Sequence, residues 1–282
     1  MITINNIASL KVAIHNARTQ GLRIGLVPTM GNLHDGHISL IEKAKSESDI
    51  VITSIFVNPL QFGKNEDLTN YPRTLEDDKH RLTAAKCEIL FAPTTTEMFP
   101  NAHTNQSTIN VPVVSGGLCS GCRPGHFDGV ATIVFKLFNI ISPDIAVFGE
   151  KDYQQLAVIK KLTRDLNMHT QIIEASTIRA PDGLALSSRN NYLSKNERQT
   201  APYLYHSIKN MASSIRKGIK EYQDLINSTK RNISSQGFIV EYIEILNQKS
   251  LEPATPKDHE LIILIAAKLG RTRLIDNIKF II

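Results

Sequence analysis

Pro28-Thr29-Met30-Gly31-Asn32-Leu33-His34-Asp35-Gly36-His37 lies between an apolar run, Leu22 to Val27, and a helix-like segment, Ile38 to Ala44. This order predicts a buried strand that ends in a Pro/Gly turn and feeds a helix whose start holds two histidines across a glycine. The first N–H groups of a helix and its dipole favour an anion. Imidazole adds donors for phosphate oxygens, and a glycine lets backbone and ligand approach closely. Alone, His34 would merely cap the helix and His37 would be a satisfied core histidine. The pair, set after a strand, points to phosphate chemistry.

Outward from this stretch, strands and helices alternate. Asn6 to Gln20 places Ile7, Leu10, Ile14 and Ala17 at helical spacing and stops at Gly21. Asp49 to Val57 is β-branched without polar alternation, which suits a strand buried on both faces of a parallel sheet. Strand, helix, strand with short links is the doubly wound α/β pattern, which binds ligands beyond the carboxyl ends of its strands. Asn58-Pro59-Leu60-Gln61-Phe62-Gly63 leaves such an end, and the amides of Asn58 and Gln61 suit a small polar substrate better than phosphate, with plain turn chemistry as the alternative. A helix is expected from Leu75 to about Lys86, with Thr74 as N-cap and Glu76, Asp77 and Asp78 complementing its dipole. Glu88 to Ala92 is a short strand, Pro93 to Gln106 a loop, and Ser107 to Val113 strand-like.

The glycine-rich stretch Ser115 to Gly129 opens an apolar helix, Val130 to Ile141. Cys119 and Cys122 have metal-ligand spacing with His126 near. A closed zinc site needs four ligands, and no second pair appears, so a loop leading to a helix N-terminus is the better reading. Ile145 to Phe148 is another buried strand, ending in Gly149-Glu150-Lys151-Asp152-Tyr153-Gln154-Gln155 before a helix from about Leu156 to Leu166. This repeats the first motif, with Lys151 able to reach phosphate, Asp152 ribose hydroxyls and Gln155 a small substrate. Gln171 to Ala175 is the last parallel-type strand. After a turn at Pro181-Asp182-Gly183 come Ser187, Ser188 and Arg189, a donor set for terminal phosphates. A capping box at Ser194 and Glu197 starts a long helix to about Lys217, followed by a helix from Lys220 to Ser234. Strand-like runs at Phe238 to Leu246, Glu260 to Lys268 and Arg273 to Phe280 complete the chain. The expectation is a Rossmann-like doubly wound parallel sheet over residues 1–176 and a smaller α+β domain over 177–282.

Composition sets bounds on function. The 282 residues are 41% hydrophobic and 21% charged, as in a globular protein, and no apolar run nears the roughly 20 residues of a membrane span. Met1 to Asn5 has neither the basic nor the apolar region of a signal peptide, and three cysteines make an odd number for a disulfide framework. A cytoplasmic location is expected. From Thr177 onward 16 Lys and Arg stand against 10 Asp and Glu, compared with 16 against 17 before it. This mild excess lacks basic runs and aromatic interleaving, so solubility explains it better than nucleic acid.

The ordered motifs resemble one family. Pro28-Thr29-Met30-Gly31 with His34-Asp35-Gly36-His37 is similar to the HxGH signature of the nucleotidyltransferase superfamily that includes class I aminoacyl-tRNA synthetases. Ile55 to Phe62, Tyr71-Pro72-Arg73, Arg123-Pro124-Gly125-His126-Phe127, Phe148 to Gln155 and Leu186-Ser187-Ser188-Arg189-Asn190 narrow the resemblance to the pantoate–β-alanine ligases, the pantothenate synthetase family. That resemblance implies ATP-dependent condensation of pantoate with β-alanine through a pantoyl-adenylate, yielding pantothenate, AMP and pyrophosphate. It implies His34, His37 and Lys151 as catalytic donors to the α-phosphate. ATP would lie along Pro28, Thr29, Met30, Gly31, His34 and His37. Gly149 and Ile178 would lie around adenine, Asp152 at the ribose, and Lys151, Leu186, Ser187, Ser188 and Arg189 at the phosphates. Ser187 to Arg189 would correspond to the KMSKS loop of the synthetases, and Leu186, where many members have methionine, would act through its backbone. Gln61 and Gln155 would hold pantoate, and Asn58, Gln61 and Tyr71 would face β-alanine. Mg²⁺ would accompany ATP, held mainly by its phosphates, and Asp77 or Asp78 could touch it. No resident metal site, nucleic acid or membrane is expected, and the resemblance implies a homodimer. The rival readings are a nucleotidyltransferase with another acceptor, which would need a phosphate site in place of Gln61 and Gln155, and a nucleic-acid-binding protein.

Overall fold

The computed structural model describes residues 1–63, 68–112 and 123–282. The chain divides into two compact units, residues 1–150 with 154–176, and residues 151–153 with 177–282.

The first unit is a six-stranded sheet of order β1-β4-β3-β2-β5-β6, built from β1 (Ile2–Ile4), β2 (Ile24–Thr29), β3 (Ile50–Ile55), β4 (Ile89–Phe91), β5 (Ile145–Gly149) and β6 (Gln171–Ala175). Every pairing is parallel, with Leu26 opposite Ile52 on one side and Ala146 on the other. Leu26, Val27, Val51, Ile52, Leu90, Phe91, Ala146 and Val147 are fully buried, which is why these strands read as apolar runs without alternation. The helix Asp35–Lys45 packs Ile41 and Ala44 against Val27, Val51, Ile145 and Val147. The helix His126–Ile141 buries most of its residues, from Phe127 to Ile141. From β2 the chain winds outward through β3 to β4, then crosses to β5 on the other side of β2, so the switch point lies between β2 and β5.

The second unit carries the antiparallel sheet β7 (Phe238–Asn247), β8 (Glu260–Leu269) and β9 (Thr272–Ile281), in that order. Ile208, Met211, Ala212 and Ile215 of the helix Tyr203–Arg216, with Ile233 of the helix Tyr222–Ser235, share one core with Ile243, Ile263, Ile265 and Phe280 of this sheet.

Local expectations differ from the structure at several points. β1 carries no sequence signal beyond three residues and exists because it pairs with β4. Residues 107–112 form no strand, and Val113 lies outside the described residues. The supposed loop after Pro93 contains the short helix Thr95–Met98, whose Glu97 carboxylate accepts the Ile7 N–H at 2.7 Å. Thr74 precedes the helix Leu75–Ala84 without capping it through its side chain. The helix expected from Ser194 to Lys217 is two helices, Lys195–Thr200 and Tyr203–Arg216. Pro202 divides them, because it has no N–H to continue the ladder. Ser115 to Cys122 lies outside the described residues, as does the Cys119 and Cys122 pair.

Asp144 joins the start of β2 to the first long helix. Its Oδ2 accepts from Ile24 N and from Arg18 of the helix Ile7–Thr19, each at 2.6 Å. Burial alone would raise this carboxyl, but the Ile24 N–H and the Arg18 guanidinium outweigh it and hold it below its ordinary value. A carboxylate lowered by folding adds stability above its unfolded pKa, and that stability is lost as pH falls through the folded value. Urea unfolding of Asp144→Asn should therefore lose less stability than the parent between about pH 5 and about pH 2. Equal slopes would show that Asp144 does not titrate with folding.

Candidate active site

At the carboxyl end of β2 the chain must reverse into the helix Asp35–Lys45. It does so through Gly31 at φ 82° and Asn32 at φ 51°. A Cβ on Gly31 would stand 3.0 Å from Asp78 Oδ2 and 3.1 Å from Ile55 Cγ2, so the turn needs glycine for space as well as for its dihedral. Thr29 Oγ1 donates to Ser54 O at 2.9 Å and accepts the Gly31 N–H at 3.2 Å, anchoring the strand end. Asp78 completes the turn: Oδ2 accepts from Asn32 N at 2.9 Å and Oδ1 from Leu33 N at 2.7 Å. The carboxylate is 1% exposed, and burial raises its pKa against the pull of these two bonds. The sequence suggested a helix-dipole partner or a contact to Mg²⁺; Asp78 does lie in the first turn of the helix Leu75–Ala84, and in addition both its oxygens hold the histidine turn. Asp77 beside it is exposed.

The two histidines cap the helix reciprocally. His34 Nδ1 accepts the Gly36 N–H at 3.1 Å, and His37 Nδ1 accepts the His34 N–H at 3.2 Å, with ring centroids 4.1 Å apart. A ring nitrogen that accepts from a backbone N–H carries no proton, so each neutral ring holds its proton on Nε2. Capping and ligand donation are thus compatible in one residue: Nδ1 serves the helix and Nε2 is the donor.

From β3 comes the turn Pro59–Gln61, capped by Asn58, whose Oδ1 accepts the Leu60 N–H at 3.2 Å. Asn58 Nδ2 donates to Gln61 Oε1 and to Gly129 O, both at 3.1 Å. Gln61 Nε2 in turn reaches Met30 Sδ at 2.9 Å, so Met30, Gln61 and Asn58 form one chain of contacts across the ends of β2 and β3. Asn58, at 1% exposure, spends its amide on the protein itself. Gln61 gives its N–H to a thioether, a weak acceptor that a carboxylate would outcompete.

Arg123, given no role from sequence, and His126, weighed there only as a metal-ligand candidate beside Cys119 and Cys122, fasten this turn. His126 Nδ1 lies 2.8 Å from Gln61 O, Arg123 Nη2 donates to the same oxygen at 3.3 Å, and Arg123 Nη1 lies 3.0 Å from His126 Nε2. Both ring nitrogens of His126 therefore have partners within the protein. Gly129 makes this docking possible, because a Cβ there would stand 2.3 Å from Leu60 O. Tyr71 is buried edge-on to Phe62, their ring centroids 5.7 Å apart. Gly149 ends β5 beside Leu40, and Gln155 is half-buried in the helix Tyr153–Asp165.

The remaining expected residues lie in the second unit. Lys151 has its ammonium 3.9 Å from the Asp152 carboxylate, with 20% of the lysine side chain exposed. Ile178 is 38% exposed, and its carbonyl accepts the Leu186 N–H at 3.0 Å. Ser187 caps the turn Ser188–Tyr192 by accepting the Arg189 N–H at 3.3 Å. Among the described residues no group of three or more His, Cys, Asp and Glu side chains could hold a metal ion.

Replacing Asp78 by Asn turns an acceptor into a donor facing a backbone N–H. Urea unfolding of Asp78→Asn should show a loss of about 1–3 kcal/mol, with faster hydrogen exchange at Asn32 and Leu33. Parental exchange at those amides would remove Asp78 from the turn. Gly129→Ala should lower the melting temperature, because Leu60 backbone cannot yield to a Cβ; an unchanged melting temperature would contradict the contact.

Residues 2–279 match the profile of the Pantoate-beta-alanine ligase family. Pantothenate synthetases of Pseudomonas fluorescens and Stutzerimonas stutzeri are each 54% identical to the chain over 278 residues, covering 99% of it and 97% of theirs. Among solved structures, pantothenate synthetase from Thermus thermophilus aligns with a TM-score of 0.91 at 38% identity, covering 99% of both chains. Pantoate-beta-alanine ligase from Francisella tularensis, complexed with beta-gamma ATP and beta-alanine, aligns at 0.81 and 37% identity over 99% of this chain and 97% of that one. With the histidine turn, the Asn58–Gln61 turn and this coverage together, the chain belongs to the pantoate–β-alanine ligase family.

Proposed function

We propose that this chain, an ATP-using ligase that forms the C–N bond of pantothenate, works by adenylating pantoate first. A pantoate carboxylate oxygen attacks the α-phosphorus of ATP, a P–O bond forms, and the bond to the bridging oxygen breaks to release pyrophosphate. The β-alanine amine then attacks the acyl carbon, the C–O bond to AMP breaks, and the amine proton is lost. Charge grows on the α-phosphate oxygens in the first step, so donors already aimed there lower the barrier.

The observation that carries this reading is the reciprocal cap of His34 and His37, which fixes Nε2 as the donor atom of both rings at a helix N-terminus. In this reading those rings and Lys151 hold the α-phosphate, with Pro28, Thr29, Met30 and Gly31 along ATP. Gly149 and Ile178 flank adenine, Asp152 takes the ribose, and Leu186, Ser187, Ser188 and Arg189 take the outer phosphates. Gln61 and Gln155 hold pantoate; Gln61 exchanges its bond to Met30 Sδ for the substrate. Tyr71 lines the β-alanine side, and Asn58 acts there by orienting Gln61. Holding both partners together would supply orientation and exclude water from the mixed anhydride.

In this reading a Mg²⁺ ion arrives on ATP. Such an ion keeps phosphate oxygens and water as ligands, and the exposed Asp77 is the carboxylate that would meet it, since Asp78 is committed to the turn. The ion would neutralise phosphate charge. Among the described residues no helix is long and apolar enough to cross a membrane. The proposal includes a homodimer, in the cytoplasm, with small molecules and not nucleic acid as partners.

Isotope exchange between ATP and pyrophosphate should require pantoate and proceed without β-alanine. Exchange that ignores pantoate would point to another acceptor, and pantothenate formation without exchange would overturn the adenylate-first order. His37→Ala and Lys151→Ala should each lower exchange by about 10²- to 10³-fold with the melting temperature unchanged. Near-parental exchange in either would remove that residue from the catalytic set.

A further inference from the structure

Two adjacent residues of β9, Asp276 and Asn277, are buried polar side chains that the reaction above does not use. They are 4% and 6% exposed. Strand periodicity sends them to opposite faces, Asp276 to the side of Leu274 and Phe280 and Asn277 to the other. Each binds a segment proposed to act on ATP.

Asn277 Nδ2 donates to the Lys151 carbonyl at 3.0 Å, across 126 residues of sequence. Two residues on, Tyr153 Oη donates to Gln248 O at 3.1 Å. These bonds fasten the segment 151–153 within the second unit, to which it belongs. Asp276 grips Arg179 through two bonds, Oδ2 to Nη1 at 2.6 Å and Oδ1 to Nη2 at 2.8 Å, and its Oδ1 also accepts the Asn277 N–H at 2.7 Å. The Arg179 guanidinium lies 3.6 Å from the centroid of the Tyr205 ring and donates to Gly183 O at 3.1 Å. Arg179 sits in the hairpin closed by Ala180 N to Leu184 O at 2.8 Å and Leu186 N to Ile178 O at 3.0 Å. That hairpin leads directly into Ser187, Ser188 and Arg189.

We propose that Asn277, seconded by Tyr153, is a positioning residue for Lys151, and that Asp276 acts alike through Arg179 on the hairpin that presents Ser187 to Arg189. The lysine ammonium swings on a flexible four-carbon stem, so its placement depends on where the backbone root is held. Asn277 holds that root by the carbonyl. Because Asn277 and Asp276 are neighbours on one rigid strand, a single element sets the Lys151 segment and the phosphate loop in register with each other. Burial makes the arrangement specific, because an Asn277 side chain held away from water depends on protein partners such as the Lys151 carbonyl.

This inference rests on Lys151 taking part in adenylation, so both are tested together by pantoate-dependent exchange between ATP and pyrophosphate. Asn277→Ala should lower the turnover of exchange about 10- to 100-fold, the cost of a misplaced group, while the KM for pantoate stays within about threefold. In a Lys151→Ala background the same change should have less than about a threefold effect, because the residue it positions is already gone. Tyr153→Phe, which keeps the packed ring, should show the same pattern at smaller size and carries the test if Asn277→Ala does not fold. Parental exchange in both variants, or an equal fold-loss with and without Lys151, would overturn the inference while leaving the role of Lys151 intact. Parental exchange in Lys151→Ala itself would overturn that role, and the inference with it.

Discussion

Two backbone N–H groups, those of Asn32 and Leu33, are turned inward where the chain leaves β2, and the Asp78 carboxylate binds both. Left unmet, they would each carry the cost of a buried, unpaired donor. Because Asp78 removes that cost, the chain can reverse tightly, through two residues of positive φ, and start a helix at once. With Asp78 in place, the turn is rigid enough for His34 and His37 to cap the helix through each other. The position of both imidazole donors therefore traces back to a carboxylate on a different helix. Burial raises the pKa of that carboxyl, and the hydrogen bonds from Leu33 and Asn32 pull it the other way.

The same economy governs the turn after β3. Asn58 commits both amide hydrogens and its carbonyl oxygen inside the protein, and in doing so orients Gln61, whose amide ends on a thioether sulfur. A weak final bond at the end of this chain leaves one group that can change partner at little cost. Arg123, His126 and Gly129 hold the backbone beneath it, through the Gln61 carbonyl and through a contact too close for any side chain. Rigidity of the surroundings, with one exchangeable bond, is what a site needs to bind a small polar acid without reorganising.

The second unit repeats the principle with different chemistry. A bidentate pair between the part-buried Arg179 and the buried Asp276, together with a buried Asn277, replaces the carboxylate and amide braces of the first unit. Breaking such a pair is costlier than never having it, since one charge would be left in a poor solvent. The braces thus sit where loss of one partner is most felt, next to loops that bear the candidate phosphate ligands.

The order of strands and helices was legible in the residues because burial on both faces erases alternation: within the runs Leu22 to Val27, Asp49 to Val57 and Ile145 to Phe148, residues 24–27, 51–54 and 145–148 are all buried. The histidine turn was legible for a local reason as well, since a cap and its helix are neighbours in the chain. Sequence by itself therefore determined the α/β core and the family of the chain, while the place of the switch point came from the strand order. Only the tertiary structure decided what holds the site. Asp78 meets Leu33 across 45 residues, His126 meets Gln61 across 65 and Asn277 meets Lys151 across 126. A one-dimensional pattern records which residues are apolar and how they are spaced. It does not record which distant donor a buried acceptor will find, because that pairing is set by the packing of whole elements.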